Sequence, residues 1–383
     1  MGLAGLLIPL GPLASASTKK SQTFDDWRRA FEAGMPARMA AAKISGLAVA
    51  ITSRDTSTHY ETAFGYADLS QNRKFTADTP MHLASVSKLF TASALVQLFE
   101  RLGHDLHADV NNFIDFPVTN PHHPDLPITP FQLLTHTSSI SDVVYNAKVP
   151  PTPGDPKVSL SSFLRDYLVK GGKLYSASGS YSKAKPGAAF DYSDVGMALA
   201  GYVVQCVSEQ DFATYTKTNL FDPLGINSAH WYLREFAPNV LAKPYEFKNG
   251  KFAEMAQKGY PDVPSGMLRC SVRDLAKMLH AMLGGDTGPN PILSPCAVAE
   301  MLRRQIDPSL VHYQGLGWVE EVINGHAYVG HSGLDDGATN MVALTDDQSH
   351  AVAVLINTDE TDAVSNFRGA VTQDLVAGAA LAG

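Results

Sequence analysis

The sequence predicts an α+β fold, in which an antiparallel sheet assembled from the two ends of the chain is covered by terminal helices and set beside a mainly helical lobe. Three observations predict it. β-like runs cluster near the two ends, a long stretch of helical periodicity separates them, and amphipathic segments open and close the chain.

At the very start, residues 5–13 are apolar and Ala14-Ser15-Ala16 has the small-residue pattern of a signal cleavage site, yet no Lys or Arg precedes them and Pro9 and Pro12 interrupt the run. Residues 1–22 therefore read either as a tail or as an export signal with a mature chain starting near Ser17, and the compartment stays open. Thr23 is expected to cap a helix, with Asp25 and Asp26 in its first turn and Phe24, Trp27, Phe31 and Met35 at helical spacing; Pro36 is expected to end or kink it. Residues 46–52 and 59–66, rich in small, β-branched and aromatic side chains, flank a polar turn beginning Ser53-Arg54-Asp55 and predict a hairpin. Helical patterning then dominates to about residue 285, broken by loops at 150–156 and 171–187. Strands are expected at 317–322, 327–330, 339–344 and 350–356, and a closing helix at 363–381. In lobes, the sheet takes about 23–82 and 290–383 and the helices about 83–289, with a cleft between them.

With 383 residues, 45% hydrophobic and 18% charged, the chain can bury a large core. The 38 acidic residues outnumber the 30 basic ones, and no Lys/Arg run exceeds two residues, so nothing marks a nucleic-acid partner. No apolar run is long enough to span a bilayer. Three cysteines, Cys206, Cys270 and Cys296, are too few and too scattered for a disulfide framework or a zinc pattern, and Cys206 and Cys270 are expected as small core residues. His104-x-x-His107 and His122-His123 lie in polar stretches without a third ligand, so no metal is expected. No G-x-S-x-G elbow, H-E-x-x-H helix or phosphate-binding glycine loop is present.

The chemistry resides in Ser85-Val86-Ser87-Lys88. An i, i+3 spacing puts a serine and a lysine on one helical face, where the lysine can act on the hydroxyl. The same tetrad occurs at Ser17, Ser180 and Ser182, but only Ser85 opens a long amphipathic run, with Ala92, Leu95, Phe99 and Leu102 at helical spacing and Gly103 as a stop. A serine at a helix N-terminus meets the positive end of the dipole, and a buried lysine one turn later is expected to lose its proton more easily. Downstream, Asp191-Tyr192-Ser193-Asp194 precedes an apolar helix, and Gly330-His331-Ser332-Gly333 falls between two expected strands.

Together these motifs resemble the set of the serine β-lactamase and penicillin-binding-protein superfamily, specifically its class C, D-alanyl-D-alanine carboxypeptidase and esterase branch. Residues 133–139 (Leu-Leu-Thr-His-Thr-Ser-Ser), Pro223-Leu224-Gly225-Ile226 and residues 264–269 (Pro-Ser-Gly-Met-Leu-Arg) are similar to that family too, so the resemblance runs in order from about residue 40 to 360. It implies a β-lactamase/transpeptidase-like fold in which Ser85 is acylated, Lys88 helps remove its proton, and Tyr192 holds the place of the general base or acid; the split of the base role between Lys88 and Tyr192 stays open. It further implies an oxyanion hole from the backbone N–H groups of Ser85 and Leu334, with Gly333 leaving room for an acyl group, and no metal or organic cofactor.

Two positions depart from the β-lactamase pattern. His331-Ser332-Gly333 stands for Lys-Thr-Gly, so a substrate carboxylate loses a permanent cation. Asp194 stands for an Asn, so a donor to an acylamino carbonyl becomes an acceptor that can pair with Lys88. The substrate-binding residues are thus expected to be Asp194, His331, Ser332 and Gly333, and the reading is a serine hydrolase of carboxylic esters or small amides. The alternatives are a D-amino-acid peptidase or β-lactamase, an acyltransferase using the same nucleophile, and a non-catalytic penicillin-binding-type sensor.

Overall fold

A computed structural model of the chain describes residues 22–56, 59–285, 288 and 291–382. The apolar segment, its candidate cleavage site and Ser17 lie outside these residues. Helix α1 (Phe24–Ala42) starts where expected: the Thr23 hydroxyl accepts the Asp26 N–H at 3.2 Å while the Asp26 carboxylate accepts the Thr23 N–H at 3.3 Å. Pro36 does not end it. The proline is exposed, and Trp27, Phe31, Met35 and Met39 form one buried stripe on both sides of it, so packing outweighs the lost N–H.

The main sheet contains β1 (Gly46–Ser53), β2 (Tyr60–Asp68), β3 (Arg73–Lys74), β4 (Val319–Ile323), β5 (His326–Asp335), β6 (Ala338–Leu344) and β7 (His350–Ile356). Their spatial order is β4-β5-β6-β7-β1-β2-β3, every neighbouring pair antiparallel. Strand β1 therefore pairs with β7, Val49 opposite Val354 and Ile51 opposite Val352, which joins the two ends of the chain as the sequence implied. The two-residue period sorts the faces. Leu47, Val49 and Ile51 with Val352 and Val354 pack under α1 and the closing helix, while Ala48, Ala50, Ala351 and Ala353 face the other core.

Helices α2 (Ser87–Leu102) and α3 (Asp194–Ser208) pack on each other, and α4 (Val272–Met282) packs on β1 and β7; the closing helix is α5 (Asp362–Ala379). Helix α2 is not amphipathic, because every residue from Ser87 to Phe99 is buried and the helix is sheathed on all sides. A hairpin, Tyr245–Lys248 with Lys251–Glu254, interrupts the region expected to be helical. Asn249 and Gly250 make its turn with φ of 53° and 77°, the left-handed pair that a two-residue hairpin turn requires. Strand β5 also runs past its expected end at Gly330, pairing His331 with Val342 and Gly333 with Asn340 of β6, so the His-Ser-Gly motif lies within a strand and not between two. Cys270 is buried, Cys206 is half-buried against the core, and Cys296 is exposed. Among the described residues no helix is long and apolar enough to cross a membrane.

Candidate active site

Ser85 sits in one 3₁₀ turn, Ala84–Val86, that leads directly into α2. Ala84 adopts φ of 49°, a left-handed conformation that costs an ordinary residue roughly 1–2 kcal/mol and that the tertiary contacts must hold in place. Those contacts are visible. Leu83 N–H donates to Leu268 O at 2.9 Å, Leu268 N–H donates to Ser87 Oγ at 3.1 Å, and Asn340 Nδ2 donates to His82 O at 2.9 Å. Gly333 lies against the same turn. A Cβ there would collide with the Leu83 carbonyl oxygen and come within 3.3 Å of Val86 N, so its missing side chain serves the approach of β5 to the nucleophile's turn.

Lys88 is fully buried and spends its three N–H groups on Ser85 Oγ at 2.9 Å, Asp194 Oδ1 at 2.6 Å and Ser265 O at 2.9 Å. Burial pushes its pKa down, but the Asp194 charge and Tyr192 outweigh burial and hold it above the ordinary lysine value. The expectation that burial makes Lys88 give up its proton readily is therefore overturned by its carboxylate partner: the resting group is an ammonium. The Tyr192 hydroxyl interacts with Lys88 and Ser85, yet burial outweighs the pull of Lys88 and raises its pKa, so it rests as a neutral phenol.

Tyr192 is placed by the Leu-Leu-Thr-His-Thr-Ser-Ser segment. The His136 ring stacks on the Tyr192 ring at 4.3 Å, its Nδ1 accepts the Ser193 N–H at 3.2 Å, and its carbonyl accepts the Asp191 N–H at 2.8 Å. Asp142 completes the clamp, accepting from Ser193 Oγ at 2.7 Å, Asp194 N–H at 2.5 Å and Val195 N–H at 3.3 Å at the start of α3. Burial first and the Asp194 charge second push the Asp142 carboxyl up. The sequence does not single out His136 or Asp142 as a site residue, because their contacts with Ser193 and Asp194 span more than fifty positions.

In β5, Ser332 N–H donates to Glu321 Oε1 of β4 at 2.5 Å. The period of two puts the Leu334 N–H on the same edge, beyond the last β4 pairing at Gly330, where Leu334 and Ser85 line a shared cleft. His331 Nδ1–H donates to Ser332 O at 2.7 Å; burial first and the Lys88 charge second lower its pKa to about 4, so it is a neutral imidazole. Ser85 and Leu334 separate two cavities. One, of about 370 Å³, is lined by Tyr192, His331, Ser332, Glu320 and Glu321; the other, of about 220 Å³, by Asp194, Asp262, Tyr260 and Asp335.

The other tetrads lie elsewhere. Ser180 Oγ accepts the Ser176 N–H at 3.1 Å, Ser182 Oγ accepts the Ala184 N–H at 3.3 Å, and neither serine lines these cavities. Of the loop histidines, His104 and His107 pack on Phe99 and Phe131, while His122 and His123 bond to the carbonyls of Ala177 and Lys183.

The family model described as Beta-lactamase matches residues 31–375, and the chain belongs to that family. Among curated proteins it is similar to Protein flp of Staphylococcus aureus, 24% identical over 302 residues covering 77% of this chain and 56% of flp. The chain thus spans about half the length of the curated relatives it matches. Among solved structures, D-amino acid amidase from Ochrobactrum anthropi SV3 superposes with a TM-score of 0.73 at 20% identity, covering 93% of this chain and 98% of the amidase. EstCE1, a hydrolase with promiscuous acyltransferase activity, gives 0.72 at 16% identity over 93% of this chain and 99% of its own. At these identities the likeness is one of fold.

Proposed function

We propose that the chain is a serine hydrolase that forms an acyl-enzyme at Ser85 and acts on carboxylic esters or small amides, using neither metal nor organic cofactor. The observation that carries this reading is the 2.9 Å contact between the buried Lys88 Nζ and the Oγ of Ser85, a residue that lines both cavities. With Lys88 an ammonium and Tyr192 a phenol, the resting site holds no free strong base. A relay resolves this: Tyr192 takes the Ser85 proton as it passes its own to the leaving group, while the Lys88 ammonium stabilises the developing alkoxide. The Ser85 and Leu334 N–H groups stabilise the tetrahedral oxyanion, and water then cleaves the acyl-enzyme.

A second reading, hydrolysis of amides of amino acids bearing a free amine, is favoured by the carboxylates of Asp194, Asp262 and Asp335 around the smaller cavity. Turnover of p-nitrophenyl esters, a chromogenic cephalosporin, D-alanyl peptides and D-amino-acid amides, with and without an added alcohol acceptor, separates these readings. Esters turned over with a wide margin above the cephalosporin support the first; preference for the free-amine amides supports the second, and a cephalosporin preferred to every ester points to a β-lactamase. No turnover of any of them points to a non-catalytic sensor.

A further inference from the structure

The larger cavity borders Tyr192, which hands its proton to the departing group in the mechanism above, so this is the side on which the alcohol or amine half of the substrate sits. Among the described residues its walls contain Glu320 and Glu321 and no lysine or arginine. Glu320 is paired with the exposed His312, and Glu321 interacts with Arg368, a residue that does not line the cavity. Lys88 does not line this cavity: its N–H groups go to Ser85, Asp194 and Ser265, and it reaches this side through Ser85 and Tyr192 and through its charge on His331.

Two further wall residues carry buried acceptors with no hydrogen-bond partner among the described residues. His331 donates its Nδ1–H to Ser332 O, which leaves Nε2 with a bare lone pair in a ring only 2% exposed. Gln314 is fully buried; its Nε2 donates to the carbonyls of Gly315 at 2.9 Å and Trp318 at 3.1 Å, which fixes the amide orientation and leaves Oε1 unmet. A buried acceptor without a donor is costly, and two in the wall of one functional cavity call for a ligand that supplies donors.

We infer that this cavity receives leaving groups that carry a positively charged hydrogen-bond donor, an ammonium-bearing alcohol being the matching chemistry, and that it rejects leaving groups ending in a carboxylate. The inference rests on the acyl-enzyme reading. In the step it describes, Ser85 Oγ bonds to the acyl carbon, the carbon–oxygen bond to the alcohol breaks, and the serine proton reaches the alcohol oxygen through Tyr192. Meanwhile the ammonium N–H is accepted within the wall formed by His331, Gln314 and the two glutamates.

The test compares kcat/KM of the full chain for butyrate esters of three alcohols of matched size: dimethylaminopropanol, protonated at neutral pH; its uncharged isostere isohexanol; and hydroxybutyrate, which ends in a carboxylate. The dimethylaminopropyl ester is expected to exceed the isohexyl ester by about tenfold, and the carboxylate ester to fall about tenfold below it. Each variant is read by its own ratio between esters, so a general loss of activity does not obscure the result. In E320Q/E321Q the carboxylate ester should recover towards the isohexyl ester, and in His331→Phe the advantage of the dimethylaminopropyl ester should shrink. A carboxylate ester cleaved as well as the isohexyl ester by the wild-type protein, or ratios unmoved in both variants, overturns the inference and leaves the hydrolase reading intact. If none of the esters acylates Ser85, the hydrolase reading itself fails and this inference with it.

Discussion

Asp194→Asn removes the negative charge beside Lys88 while keeping an oxygen that accepts its N–H, which separates charge from hydrogen bonding. The Lys88 side chain is fully buried, that of Asp194 is 30% exposed, and their polar atoms are 2.6 Å apart. Removing one partner of a fully buried pair costs about 3–5 kcal/mol. Water reaches the Asp194 side and the variant keeps the hydrogen bond. The charge on Asp194 also pushes up the carboxyls of Asp142 and Asp262, which its loss relieves. The expected loss is therefore about 1–2 kcal/mol, a fall of a few degrees in Tm. With the carboxylate gone, burial loses its main opponent and lowers the Lys88 pKa, so the alkaline limb of kcat/KM against pH should move to lower pH than in the wild-type protein. Urea unfolding at neutral pH and a pH profile on p-nitrophenyl butyrate measure the two effects. Unchanged stability together with an unmoved alkaline limb would refute the claim that Asp194 holds Lys88 as a permanent ammonium.

Lys88→Arg should lower kcat about a hundredfold or more: three acceptors close around Nζ, and a longer planar guanidinium cannot meet them in that space. Near-wild-type turnover would show that the group beside Ser85 is dispensable. Gly333→Ala forces β5 away from the Leu83 carbonyl, so turnover should fall at least about tenfold, with about 1–3 kcal/mol of stability lost; wild-type values in melting and kinetics would contradict that packing. Asp142 keeps its proton in the folded chain up to about pH 7, whereas the unfolded group releases it near pH 4. Its contribution is therefore present below the unfolded value and lost as pH rises towards the folded one. Asp142→Asn should flatten the corresponding fall of Tm between about pH 4 and 7; a slope equal to that of the wild-type protein would contradict the assignment.

What was legible in the sequence was local or periodic. The Thr23 cap, the hairpin of β1 and β2, and the i, i+3 placement of Ser85 and Lys88 each depend on neighbours a few residues away. The charge state of Lys88 was not legible in this way, because it is set by a carboxylate 106 positions along the chain. His136 and Asp142 escaped for the same reason: their work is to hold Tyr192 and the start of α3, and only the fold brings them there. Nothing within the expected strand 317–322 marks Glu321 as a site residue, and only the pairing of β4 with β5 brings its carboxylate to the Ser332 N–H. Other misses were avoidable, since Asn249-Gly250 between Phe247 and Phe252 is a strong hairpin signal inside a region assigned to helices. Pro36 marks the opposite error, a local breaker overruled by a continuous buried stripe.

The central claim is that Ser85 is the acylated nucleophile, and covalent labelling with an active-site acylating reagent followed by peptide mass mapping tests it most directly. The account predicts an adduct on Ser85, with labelling and ester turnover both abolished in Ser85→Ala. An adduct on Ser180 or Ser182, or undiminished turnover in Ser85→Ala, would contradict it.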